Sequence, residues 1–177
     1  LVHTFTIFFP IALKKIALLK KIEGLKIDPV ISAELDLVAK RLEDSGWVIE
    51  EPKAPNFQEA AKFQATLWLG EFRRTGGEAI TKENDPDSNF IYSQMSRRCP
   101  DTSLEKFMDS LQQRARISRE WNKFFDQHPI ILCPITGDIP FPDLKDLESE
   151  ESFDLVFDSM LPQIAPPYMG LPGLSFA

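Results

Sequence analysis

The stretch Asp28-Pro29-Val30-Ile31-Ser32-Ala33-Glu34-Leu35-Asp36-Leu37-Val38-Ala39-Lys40-Arg41-Leu42-Glu43-Asp44-Ser45-Gly46-Trp47-Val48-Ile49 decides the fold. Asp28 can accept hydrogen bonds from the free N–H groups at a helix start, Pro29 suits the first helical position, and Gly46 can take the left-handed conformation that ends a helix. Between them Ile31, Leu35, Val38 and Leu42 recur at spacings of four and three, giving one apolar stripe. Before this helix lies the short apolar run Ile16-Ala17-Leu18-Leu19, and after it Trp47-Val48-Ile49, both of strand length. A strand, a helix and a second strand in close succession make a βαβ crossover, so the two strands should pair in parallel.

Working outward, Phe57, Ala61, Ala65, Trp68 and Phe72 again have helical spacing, and Gly76-Gly77 should end that helix. Gly76-Gly77 runs into Glu78 and not into a phosphate-binding pattern, so termination is the expected role. Residues 75–100 read as a flexible loop segment, because Glu83 to Asn89 is polar and rich in turn-forming Asn, Asp and Pro. From Ser103 to about Gln127 a long helix is expected. Leu104, Met108, Leu111, Ala115 and Ser118 form its stripe, Trp121, Phe124 and Phe125 lie near its end, and Pro129 stops it.

Ile130 to Cys133 is a third strand candidate, and its unbroken apolar character suggests burial on both faces. A Pro134 to Pro142 loop and the acidic stretch Asp143 to Glu151 then lead into a helix with Phe153, Val156, Phe157 and Met160 on one side. The proline-punctuated segment Pro162 to Gly173 reads as loop, and Leu174-Ser175-Phe176 as the beginning of another strand. The fold class expected is α/β, a mixed, partly parallel sheet flanked by helices, with residues 1–177 forming a single domain or fragment.

The chain has 177 residues, a net charge of -7 and 43% apolar residues. Such a composition suits a globular core and argues against nucleic acid or anionic lipid as partner, which recruit dense Lys and Arg. The apolar opening Leu1 to Leu13 is shorter than the roughly 20 residues a membrane helix needs, contains Pro10 and lacks a basic start, so neither a span nor a leader is expected there. Of the two cysteines, Cys133 reads as a small buried hydrophobe, which fits a reducing, cytoplasmic setting.

Candidate chemistry is sparse. His3 and His128 lack neighbours at metal-ligand spacing, and His128 is better suited to stabilising a helix C-terminus when protonated. No Ser stands in a Gly-x-Ser-x-Gly elbow. Glu148, Glu150, Glu151 and Asp154 open a helix and read as a solvated face and not as a cation site. Trp68, Trp121, Phe124 and Phe125 read as core. Tyr168 and Met169, in the expected loop between prolines and a glycine, are the candidate substrate-binding residues.

Several segments together resemble the C-terminal portion of amidase-signature hydrolases. They are Asp28 to Glu51, Trp121 to Pro134, Phe141-Pro142 and Gly170-Leu171-Pro172-Gly173-Leu174-Ser175, in that order, and the resemblance extends over about Ile16 to Ala177. It implies an incomplete part of the amidase-signature fold and a small-molecule amide as substrate of the full enzyme. It also implies catalysis by a Ser nucleophile with a second Ser and a Lys, with no cofactor. A Ser hydroxyl needs a base, and a Lys serves when its surroundings favour the neutral amine. That Gly/Ser-rich signature is absent here, and family order places it and the Lys ahead of residue 1, so no residue of this chain takes a catalytic role by resemblance. The approach Pro166-Pro167-Tyr168-Met169 also departs from the Asn that many members carry before Gly-Leu-Pro, which leaves the substrate class open. The rival reading is a non-catalytic interaction module. On either reading the buried strands imply exposed edges, with Val2 to Ile11 able to pair along one, and self-association or association with the missing part is expected.

Overall fold

The computed structural model describes residues 14–175, so the opening segment and His3 lie outside the described residues. The elements in chain order are β1 (Lys15–Leu18), α1 (Pro29–Asp44), β2 (Val48–Glu50), α2 (Phe57–Thr75), α3 (Gly77–Glu83), α4 (Pro86–Arg98), α5 (Leu104–Phe125) and β3 (Ile130–Leu132), followed by α6 (Glu150–Ser159) and α7 (Leu161–Met169). A 3-10 turn, Lys145–Leu147, precedes α6.

The three strands form one sheet in the order β2-β1-β3, parallel at both pairings among the described residues. Ile16 stands opposite Ile49 on one side and Ile130 on the other. The ladder continues through Leu19 N to Leu132 O, 2.9 Å. Successive side chains of β1 point to opposite faces. Ile16 and Leu18 join a core with Leu35 and Ala39 of α1, while Ala17 and Leu19 join a larger core with Phe57, Ile117, Trp121 and Ala165. The sheet is therefore covered by α1 on one face and by α2, α5 and α7 on the other. Alternation along a four-residue strand, the bare signal of the sequence, assigns the layers.

α1 is capped as its residues dictate: the Asp28 carboxylate accepts from Val30 N at 2.7 Å, and Gly46 has φ +83°. Loop contacts hold its start in place. Asp28 N donates to Gly137 O at 2.8 Å, and Gly137 N donates to Ser159 O at 2.8 Å, joining the beginning of α1, the loop after β3 and the end of α6. A side chain at Gly137 would meet Lys26 O at 2.5 Å, so only glycine lets these backbones approach.

Three expectations are corrected. Residues 75–100 are not a loop but contain α3 and α4. The polar stretch is the junction between them: Asn84 closes α3 in the left-handed conformation (φ 57°), and Asp85 caps α4 through Ser88 N at 2.7 Å with Pro86 behind it. This is the Asp-Pro start seen at α1, repeated.

The segment from Pro162 is likewise helical, as α7. Pro162 sits in the first turn, where its missing N–H is not needed, but Pro166 and Pro167 lie inside and cannot donate to the preceding turn. Each costs about 3 kcal/mol relative to alanine in a helix interior. Leu161, Ile164, Tyr168 and Met169 are all buried, at roughly 1.5–3 kcal/mol per large apolar side chain, and together they outweigh that cost. Packing overrides propensity here, and α7 lies along α2.

The third correction is the stripe on α5. Leu104, Met108 and Leu111 are exposed, Leu104 at 77%, and the buried face is Ser110, Ile117 and Trp121. Past Gly170, itself left-handed at φ 71°, residues Leu171–Ser175 carry no regular structure, and Phe176 lies outside the described residues.

Candidate functional site

Two spaces open on the helical side of the molecule. The larger, about 670 Å³, lies between α2, α3, α4 and the 3-10 turn. Its wall includes Trp68 and Phe72 of α2, Ile80 of α3, Ile91 and Tyr92 of α4, and Leu144 and Leu147 beside the 3-10 turn. The smaller, about 330 Å³, lies between α2, the end of α4, α6 and α7, and includes Thr66, Arg98, Cys99 and Phe157. Leu69 and Met95 line both, so the two spaces share a wall. Volumes in this range suit a small organic molecule.

The local sequence builds the larger space in a direct way. On α2 the buried residues are Phe57, Ala60 and Leu69, so the helix turns Trp68 (50% exposed) and Phe72 (37% exposed) outward. The Phe72 ring meets Tyr92 edge to face, with centroids 5.7 Å apart. Gly76 and Gly77 permit this crossing, because a side chain at either would come within 2.7 Å of Phe72 or 2.6 Å of the Tyr92 hydroxyl. Trp68, expected in the core, instead lines a cavity beside Phe72. The missed signal is the spacing Ile91, Tyr92, Met95 after Asp85-Pro86, which gives α4 an apolar face once that dipeptide is read as a helix start.

Tyr168 and Met169, the candidate substrate-binding residues, border neither space. They lie at the end of α7, buried to 1% and 8% exposure. The Tyr168 hydroxyl donates to the Ser110 carbonyl of α5, and its ring stacks on Phe63 of α2 at 5.7 Å. Burial pushes its phenol up to about 12, so it stays neutral. The segment that made these residues candidates is a helix; Tyr168 ties it to α5 and α2, and Met169 packs in the same core.

His128 is 6% exposed and stacks on Phe124. Its Nε2 lies 2.8 Å from the Glu50 carboxylate, which also binds Lys15 at 2.6 Å. Lys15 first, then His128, hold the Glu50 carboxyl below its ordinary range. A carboxylate only accepts, so Nε2 carries the hydrogen, while Nδ1 is buried without a partner among the described residues. The cluster joins β1, β2 and the end of α5.

The acidic run is paired and not simply solvated. Asp154 accepts from Arg97 and Arg98 at 2.6 Å each, and those guanidiniums, Arg98 foremost, hold its carboxyl low. Glu150 faces Arg97 at 3.3 Å and Glu148 pairs with Lys145. The Arg98 guanidinium also sits 4.5 Å over the Phe157 ring, fastening α4 to α6. Among the described residues, no three His, Cys, Asp or Glu side chains gather as a metal site.

Several serine hydroxyls serve backbone. Ser110 and Ser159 donate within their own helices, to Lys106 O and Val156 O, and Ser103 and Ser149 cap α5 and α6. The lysine ammoniums of Lys15, Lys20, Lys40, Lys82 and Lys145 bind carboxylates. Cys99 and Cys133 are free, and burial pushes the Cys133 thiol up to about 11.

The architecture is a part of the amidase-signature fold. A solved fatty acid amide hydrolase superposes on 85% of this chain and on 26% of its own, with TM-score 0.64 and 16% identity. An indoleacetamide hydrolase of Bradyrhizobium diazoefficiens is 24% identical over 160 residues, 90% of this chain. A second, of Bradyrhizobium japonicum, is 25% identical over 122 residues. The chain spans 30% and 26% of the length of these two relatives. No family model matches it. The resemblance to amidase-signature hydrolases drawn from Asp28 to Glu51 and from Trp121 to Pro134 is thus met by curated relatives and by fold. Among the described residues, no helix is long and apolar enough to cross a membrane.

Proposed function

We propose that this chain is the C-terminal scaffold of an amide-bond hydrolase that acts on a small-molecule amide, with the nucleophilic Ser and its Ser and Lys partners outside these 177 residues. The observation that carries the reading is the match to an indoleacetamide hydrolase along 90% of the chain. The local chemistry agrees. Hydrogen bonds to carboxylates hold Lys20 and Lys40 in the charged form, whereas a Lys that activates a Ser must be held neutral.

On this reading the chain supplies walls. Trp68, Phe72 and Tyr92 offer an aromatic surface, and Tyr168 fixes α2 through Phe63, with Met169 in the same core. Further polypeptide packs on the exposed Leu104, Met108 and Leu111 face of α5 and along β2 and β3, each of which pairs on one side only among the described residues. Two free, half-buried thiols suit a reducing compartment, and we place the protein in the cytoplasm.

The experiment is ammonia release from simple aryl and aliphatic amides, measured for residues 1–177 alone and for the longer polypeptide carrying them. Turnover by the longer form and none by the short one is expected. Turnover by the short chain that disappears when one of its own serines is replaced would sink the proposal.

A further inference from the structure

We infer that the space between α2, α3, α4 and the 3-10 turn binds an organic monocation, an ammonium carried on an aromatic or alkyl body. The inference does not depend on amide hydrolysis. It rests on the pairing of lining types. Trp68, Phe72 and Tyr92 present ring surface, and Asp87, Asp146 and Glu71 are the charged groups of the same wall, which contains no Lys or Arg. The nearest cation in sequence, Lys145, is engaged by Glu148. Glu71 and Asp87 are exposed and Asp146 is half-buried, and among the described residues no hydrogen bond or ion pair reaches their carboxylates.

Glu50, Asp154 and Asp158 each meet a lysine or arginine, while 27 acidic residues against 20 basic ones leave other carboxylates unpaired, and three of those border this space. A space of about 670 Å³ walled by rings and by uncompensated carboxylates repels anions, gives a neutral apolar molecule only its area, and gives a cation both area and charge. The ring faces carry negative potential, so the aromatic and acidic parts of the wall act in the same sense.

Calorimetric titration of the full-length protein with three probes of one body decides the matter: phenethylammonium, 2-phenylethanol and 3-phenylpropionate. The ammonium should bind about tenfold more tightly than the alcohol, the gain of one ring contact and one half-exposed charge pair, and the carboxylate most weakly. The preference should shrink in high salt. In Asp87→Asn with Asp146→Asn, the ammonium should lose most of its advantage over the alcohol, keeping the part owed to the rings and Glu71, while the alcohol's own affinity is unchanged. Equal affinities for ammonium and alcohol in the unaltered protein, or no saturable ammonium binding at millimolar concentration, overturns the inference. So does a preference that is undiminished in the folded double variant. The probe comparison stands even if that variant fails to fold.

Discussion

Replacing Tyr168 separates a core residue from a pocket residue. Its side chain is 1% exposed, stacks on Phe63, and donates its hydroxyl to the Ser110 carbonyl. Tyr168→Ala removes a buried ring and leaves a cavity, at about 3–5 kcal/mol for an aromatic truncation. Tyr168→Phe keeps the ring and deletes the hydrogen bond, at about 0.5–1.5 kcal/mol, because the Ser110 carbonyl retains its helical partner. In a chain of this size each kcal/mol shifts the melting temperature by about 2–4 °C. The alanine variant should therefore melt about 6–20 °C lower and the phenylalanine variant about 1–6 °C lower. Thermal melts with urea unfolding as a cross-check measure both. A melting temperature for Tyr168→Ala within a degree or two of the unaltered protein, with altered amide selectivity, would refute the core assignment and restore the substrate-binding role.

Gly137→Ala should lower stability by about 1–3 kcal/mol, since the added methyl meets the Lys26 carbonyl at 2.5 Å and the Leu25 side chain at 2.6 Å; urea unfolding checks it. The Glu50 carboxyl is held below its ordinary 4.5, so its contribution is complete above about that pH and is lost as pH falls through the lower folded value. Glu50→Gln should accordingly flatten the acid limb of the stability profile and lower the plateau evenly at pH values above about 4.5, as urea unfolding across pH will show. With its thiol near 11, Cys133 should resist maleimide at pH 8 until the protein is unfolded, which mass spectrometry after timed labelling will report.

The sheet side of the molecule was legible because its signals are local. Asp28-Pro29 and Gly46 bracket α1, and Ile16 to Leu19 alternates between two cores, so stripe and pleat give the layers without knowledge of the rest. The candidate site was not legible, because it depends on which face each helix turns inward. α2 carries apolar residues on more than one face, and whether Trp68 or Leu69 is buried is fixed by α7 lying along it. α7 was itself hidden, since Pro166 and Pro167 argue for a loop and only the burial of Leu161, Ile164, Tyr168 and Met169 reverses them. The Leu104, Met108, Leu111 stripe misleads in the opposite sense, being apolar and yet exposed. α4 is readable at its Asp85-Pro86 start, the same dipeptide that announces α1, but the polar run around it favours a turn.

The most direct test of the central claim is to label the full-length protein with a serine-reactive fluorophosphonate and locate the modified residue by peptide mass spectrometry. The account predicts one labelled serine outside residues 1–177, with amidase activity lost in step with labelling. A labelled serine within the chain, with the same loss of activity, would contradict the account and make this chain the seat of the chemistry.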